Sequence, residues 1–248
     1  MSQVVAPHAL PSFAYPRYFR FGRFQINSYK FFLCIGIYCG ILVSAAVGDA
    51  TGIPPLPLGL GMLFFGIVGL LGARLYHLVV HFPTYRRNGL RITSRDQSEG
   101  GWGVLGGLVI VPVSLLFDAI LGIPIAEFWD HMAIAIAVGG AWIRFGCVCN
   151  GCCVGRDAKG WFGLRQHDVH GEYRRRVPVQ LLEIAWWMTS WALLALLWPL
   201  DLPDGSYAFI VLGWYGIGRF WLEPLRKKSA RIRGVRVDRI VAAVLALT

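Results

Sequence analysis

Long apolar runs, several of them near 20 residues, recur along this chain with short arginine-rich stretches between them. A helical run of that length crosses the roughly 30 Å hydrocarbon core of a bilayer. Of the 248 residues, 56% are hydrophobic and only 15% charged, against about 25% charged in a soluble domain. These features predict an all-α, polytopic transmembrane helix bundle of six to seven spans. The runs cover about residues 29–47, 58–82, 101–121, 125–147, 178–200 and 207–225. The apolar piece 240–247 is too short to cross and marks the start of a seventh span. Gly48-Asp49 and Pro54-Pro55 are expected to end the first span. Pro178 suits the first turn of the fifth. A short polar region, 155–177, follows the fourth.

Residues 1–28 interleave aromatic residues with Arg17, Arg20 and Arg23. They are expected to form an interfacial N-terminal segment, with 29–248 as the transmembrane domain. Prolines and arginines throughout, and no continuous apolar core, make 1–28 unlike a signal peptide. The net charge of +10 is carried almost entirely between the runs. Anionic lipid head groups are its natural counterpart. Nucleic acid is discounted, because no soluble basic domain is present to carry it.

Ionisable residues stand in or at the edges of the runs: Arg74, Asp130, Arg144, Glu183, Arg219 and Glu223. Charges near a bilayer are costly, so they are functional or paired. Arg219 and Glu223 are four residues apart, on one helix face, and a helix-stabilising pair accounts for them equally well. Three arginines in three separate runs suit a phosphate, because the guanidinium fork matches phosphate oxygens. His131, His167 and His170 read better as satisfied polar groups than as catalysts.

The densest stretch runs from Arg144 to Arg156, with Cys147, Cys149, Cys152 and Cys153 within seven residues. The six cysteines do not read as a disulfide framework. Structural zinc sites draw ligand pairs from two separate segments, which disfavours a metal here. Packing in a crowded turn is the leading reading, and a reactive thiol beside arginines stays open.

The same stretch resembles the signature G-R-x-G-N-F-x-N-G-E-x-x-G-R of the prolipoprotein diacylglyceryl transferase family. Arg144, Gly146, Asn150, Gly151, Gly155 and Arg156 fall in register with it. Further segments agree in order. Ile26-Asn-Ser-Tyr29 resembles the family's early tyrosine segment, and Gly72-Ala-Arg74-Leu its G-G-R element. The glycines at 100–101 and 106–107 resemble G-G-x-x-x-H-G-G. Asp130 lies fourteen residues before Arg144, as the family's aspartate does. Pro178-Val-Gln180-Leu-Leu-Glu183 resembles H-P-[ST]-Q-L-Y-E, and Tyr215 to Arg226 resembles Y-G-x-x-R-F-x-x-E-x-x-R.

The resemblance implies an inner-membrane enzyme of bacteria that moves the diacylglyceryl group of phosphatidylglycerol to the lipobox cysteine of a preprolipoprotein. It implies Arg144 and Arg219 as the catalytic pair at the phosphate. Tyr29, Arg74, Asn150, Gly155, Arg156, Gln180, Glu183, Glu223 and Arg226 are its substrate-binding set. It implies a monomer, no nucleic acid, no metal and no organic cofactor. The chain departs from the pattern at several places, four of which bear on the chemistry. Leu105 stands for the family's histidine, Cys147 for an asparagine, Cys152 for a glutamate and Val177 for a histidine. Two alternatives follow: a lipid-modifying transferase with another acceptor, or a non-catalytic lipid-binding protein using its cysteine cluster. The basic stretches place the signature turn in the cytoplasm by the positive-inside rule, whereas the resemblance places it outside, and we follow the resemblance.

Overall fold

The computed structural model describes residues 16–80, 82, 122–158, 162–227, 231–232 and 235–236. The expected span 101–121, Leu105, and the apolar piece 240–247 lie outside them. A hairpin of β1 (Tyr18–Phe21) and β2 (Phe24–Asn27) leads into α1 (Ser28–Thr51) and α2 (Pro55–Val80). Then come α3 (Ile125–Asn150), a second hairpin of β3 (Leu164–His167) and β4 (Tyr173–Arg176), and α4 (Val179–Leu197). Last come α5 (Ser206–Leu222), a 3-10 turn at Glu223–Leu225, and the short pair β5 (Arg231–Ile232) and β6 (Val235–Arg236). The architecture is helical, and the polar region after α3 is a hairpin rather than an unstructured loop.

Among the described residues, four stretches are long and apolar enough to cross a membrane: Ser28–Thr51, Pro55–Gly72, Ile125–Asn150 and Val179–Leu200. Leu56, Leu60, Ile67 and Leu71 along α2 are exposed, as are Leu196 and Trp221. Such apolar outer faces belong against lipid chains, not water.

One expectation is corrected. Gly48-Asp49 does not end the first helix, which continues to Thr51 and stops at Gly52 in the left-handed region (φ 88°). Gly48 belongs to a stripe of small buried residues at four-residue spacing: Gly36, Gly40, Ser44 and Gly48. A Cβ on Gly36 would meet the carbonyl oxygen of Gly139 at 2.8 Å, and one on Gly48 would meet Leu58 at 2.6 Å. Small residues at this spacing let membrane helices approach closely, so the glycine is a packing residue. Ser44 Oγ donates to the carbonyl of His131 at 2.8 Å across the same seam.

Asp130, on α3, caps a helix other than its own. Its carboxylate accepts from Gly205 N at 2.6 Å and Ala208 N at 2.8 Å, at the start of α5. The first amides of a helix lack intrahelical partners and carry partial positive charge, so a buried carboxylate is stabilised there. This contact fixes α5 against α3 at the end opposite the arginines.

Candidate functional site

α3, α4 and α5 each contribute a charged residue to one buried cluster. Arg144 lies near the end of α3, Glu183 in the second turn of α4, and Arg219 in the last turn of α5. Glu223 and Arg226 follow in the 3-10 turn and just beyond it. Arg144 Nε is 3.3 Å from Glu183 Oε2, and Arg219 Nη1 is 3.2 Å from Glu183 Oε1. Arg226 Nη2 donates to both oxygens of Glu183, at 3.0 and 3.2 Å. Arg219 Nη2 also reaches Glu223 Oε2 at 2.8 Å. Glu183 is 4% exposed and Glu223 1%, so both carboxylates meet the guanidiniums with little water around them.

Among the described residues, three guanidiniums face two carboxylates, leaving one positive charge over. A small cavity opens between Arg144 and Arg219, walled by Trp186, Trp187, Tyr215 and Leu222. Its free space of about 10 Å³ takes a water-sized body, so a phosphate group needs the carboxylates to shift. The walls are fixed by stacking: Trp186 on Trp214 at 4.7 Å and Trp187 on Tyr215 at 5.3 Å.

The turn after α3 packs beside this cluster. Gly151 ends the helix in the left-handed region (φ 71°), its N–H bonding to Val148, while Cys152 N bonds to the carbonyl of Cys147. This is the Schellman arrangement, which folds the chain back over the last helical turn. Asn150 Oδ1 accepts from Asn27 Nδ2 at 2.9 Å, and Gln180 Nε2 donates to the carbonyl of Cys152 at 3.0 Å. Tyr29 packs its backbone on Gly146 and lies within electrostatic reach of Arg144, Cys147 and Cys152. Cys153, with φ 57°, is the next residue out. Hydrogen bonding from Cys147 and Cys152, with the Arg226 and Arg144 guanidiniums nearby, holds its thiol well below the ordinary range.

Beyond the turn, the backbone from Val154 to Ala158 runs between two others. Arg156 N bonds to the carbonyl of Leu225 and Lys227 N to that of Val154 on one side. Val177 N bonds to Arg156 and Ala158 N to Arg175 on the other. A Cβ on Gly155 would clash with the carbonyl oxygen of Val177, so only glycine fits. This ladder sets Arg226 opposite Gly155 and delivers its side chain to Glu183.

The structure thus brings together Arg144, Glu183, Arg219, Glu223 and Arg226, with Tyr29, Asn150, Gly155 and Gln180 around the adjoining turn. Arg156 contributes backbone to the ladder, but its side chain is exposed. Arg74 falls in α2 where side chains lie outside the described residues. A second polar centre has no counterpart in the sequence reading. Asp168 accepts from Arg176 at 3.0 Å and from Lys227 at 3.0 Å. Burial would raise the Asp168 carboxyl, but the Lys227 ammonium and the backbone N–H groups of Glu172 and His170 hold it at about 2. Asn27, likewise, carried no signal besides its place before Tyr29.

The family model for prolipoprotein diacylglyceryl transferase matches residues 16–248. A phosphatidylglycerol–prolipoprotein diacylglyceryl transferase of Bacillus cytotoxicus is 27% identical over 231 residues, covering 89% of this chain and 84% of that protein. A protein of the same name from Bacillus anthracis is 28% identical over the same shares. One from Bacillus cereus is 27% identical, again over 89% of this chain and 84% of its own. Several apolar helices and a match that takes in all of them make this a multi-pass membrane protein. The chain belongs to the prolipoprotein diacylglyceryl transferase family.

Proposed function

We propose that this protein transfers the diacylglyceryl group of phosphatidylglycerol to the lipobox cysteine thiol of a preprolipoprotein, in the inner membrane of a bacterium. The observation that carries this reading is the convergence of Arg144, Arg219 and Arg226 on Glu183, in a chain matched by the family over nearly all its length. The thiol sulfur attacks the diacylglyceryl carbon that bears the phosphate. The carbon–oxygen bond breaks, a thioether forms, glycerol phosphate leaves with the bonding pair, and the thiol proton is released to water or to the departing phosphate. Negative charge grows on the phosphate oxygen, and preorganised guanidiniums act where charge develops. Arg144 and Arg219 fill that role; Glu183, Glu223 and Arg226 set their forks.

Asn150, Gln180 and Gly155 act as positioning residues for the signature turn. Tyr29 lines the site, Arg74 is assigned to the head group by resemblance, and exposed Arg156 meets anionic lipid at the rim. By the apolar pattern of the sequence the spans number six to seven, the four crossing stretches and α5 with its 3-10 continuation among them. Residues 1–28 serve as the interfacial segment, 29–248 as the catalytic domain. The protein acts as a monomer in this reading, as the resemblance implies.

The test is transfer of labelled diacylglyceryl from phosphatidylglycerol to a lipobox peptide by the purified chain. Arg144→Ala and Arg219→Ala are each expected to lose about 10²-fold or more; full activity in both ends the site assignment. Leu105 and Cys152, where the family has histidine and glutamate, favour a second reading with a different acceptor on the same scaffold. Mass spectrometry of lipids and lipoproteins from cells with and without the protein separates the two.

A further inference from the structure

The sulfur atoms of Cys147, Cys152 and Cys153 lie within 4.8 Å of one another. The helix ending makes this happen. In a Schellman turn the side chain after the left-handed residue falls on the one five positions earlier, which here sets Cys152 over Cys147. The left-handed φ of Cys153 then brings its sulfur back to the same point. A separation of two segments, which zinc ligands ordinarily need, is supplied by the reversal within one turn.

From this geometry we propose that Cys147, Cys152 and Cys153 form a three-thiolate site for a single zinc-class ion, whose fourth position takes the acceptor thiol. The role rests on the proposed transfer to a thiol; the existence of the site does not. Zinc–sulfur bonds of about 2.3 Å set tetrahedral sulfurs about 3.8 Å apart, so the group closes on an ion by contracting 1 Å or less about its centre. Three thiolates leave a divalent ion with one net negative charge, and four leave it with two. Arg144 and Arg226 both lie within Coulombic reach of Cys153 and offset that charge. Cys147 is buried and Cys153 exposed, so the ion would have one closed side and one open side. Three protein ligands with an open fourth position are the pattern of catalytic rather than structural zinc.

A thiol that coordinates zinc is deprotonated outright. The acceptor would therefore release its proton to water at the open side as it binds, and no separate base is needed. That fits a chain with Leu105 where a histidine is expected. The bound thiolate then displaces glycerol phosphate at carbon as above, and the thioether product, being neutral, is a weak ligand and leaves.

The test uses the full chain purified in detergent, stripped with chelator and titrated with zinc and, in parallel, with cobalt(II). One ion per chain is expected, with a strong sulfur-to-cobalt charge-transfer absorption that shifts when a cysteine-containing lipobox peptide is added. Cys152→Ser and Cys153→Ser should lose stoichiometric binding, while Cys34→Ser, on the exposed face of α1, should keep it. A chain that binds no stoichiometric ion, or binds it equally in Cys152→Ser and Cys153→Ser, overturns the site. A bound cobalt whose spectrum ignores the peptide overturns the open fourth position. The wild-type spectrum reports sulfur ligation by itself, so misfolding of a variant does not obscure the answer. If cobalt and peptide bind as expected but no diacylglyceryl is transferred, the transferase reading fails and the metal site stands.

Discussion

Arg226 grips Glu183 with a single nitrogen that donates to both carboxylate oxygens, at 3.0 and 3.2 Å. The same carboxylate serves Arg144 and Arg219. Glu183 is thus the hub that keeps three guanidiniums, one buried and two largely buried, from repelling one another. Removing one partner of a buried pair leaves uncompensated charge and costs about 3–5 kcal/mol. Glu183→Ala is expected to lower the thermal midpoint in detergent sharply. Glu183→Gln, which keeps one acceptor oxygen, should lose less. Equal midpoints for wild type and Glu183→Ala would show that the cluster carries no stability.

Arg219→Lys separates charge from fork geometry. The lysine keeps the positive charge but cannot bridge Glu183 and Glu223 with two nitrogens while presenting the rest of its fork. Transfer to the lipobox peptide should fall about 10²-fold, with a far smaller change in thermal midpoint than Glu183→Ala. Wild-type transfer by Arg219→Lys would mean that a point charge suffices.

Gly155→Ala tests the ladder. The added methyl runs into the carbonyl of Val177 and into Val179, both on backbone that leads into α4. Overpacking costs about 1–3 kcal/mol, and the strand must move off Leu225–Lys227 to relieve it. That carries Arg226 away from Glu183. Transfer activity should drop together with stability, read by the peptide assay and by melting. A fully stable and active Gly155→Ala protein would contradict the packing.

Acid should act through Asp168. Its folded-state carboxyl sits at about 2, below the ordinary 3.8. A depressed carboxyl stabilises the fold above its unfolded value, and that contribution is lost as pH falls from about 4 toward 2. Protonation there removes a carboxylate from fully buried Arg176. The thermal midpoint is expected to decline across that window in wild type and to decline less in Asp168→Asn, which starts lower. Parallel curves for the two proteins would assign acid sensitivity elsewhere.

Helix positions were legible because hydrocarbon demands long apolar runs: α3 begins at Ile125, as expected, and α4 at Val179, one residue from its expected start. That Arg144, Glu183 and Arg219 stand out was legible as well, because charges inside apolar runs have few places to go; that Glu183 joins the two arginines was not. Gly48 misled, since glycine as a breaker and glycine as a helix contact look alike until the partner, Leu58, is known. The Asp168–Arg176–Lys227 centre was hidden in ordinary surface-like polar sequence. Nothing local distinguishes Asp168 from its neighbours; its burial depends on Lys227, 59 residues away. The pairing of Asn27 with Asn150 spans 123 residues and was out of reach for the same reason.

The ladder that threads Val154–Ala158 between Arg175–Val177 and Leu225–Lys227 also dictates an order of events during synthesis. A chain is made from its N-terminus, and long-range pairings wait for both partners. Arg144 and Glu183 are in place before α5 exists, yet Arg219, Arg226 and the outer strand arrive only once residue 227 has left the ribosome. Until then the charged cluster is half built, with Arg144 and Glu183 present and Arg219, Glu223 and Arg226 still to come. The complete cluster is therefore conferred by the last quarter of the described chain.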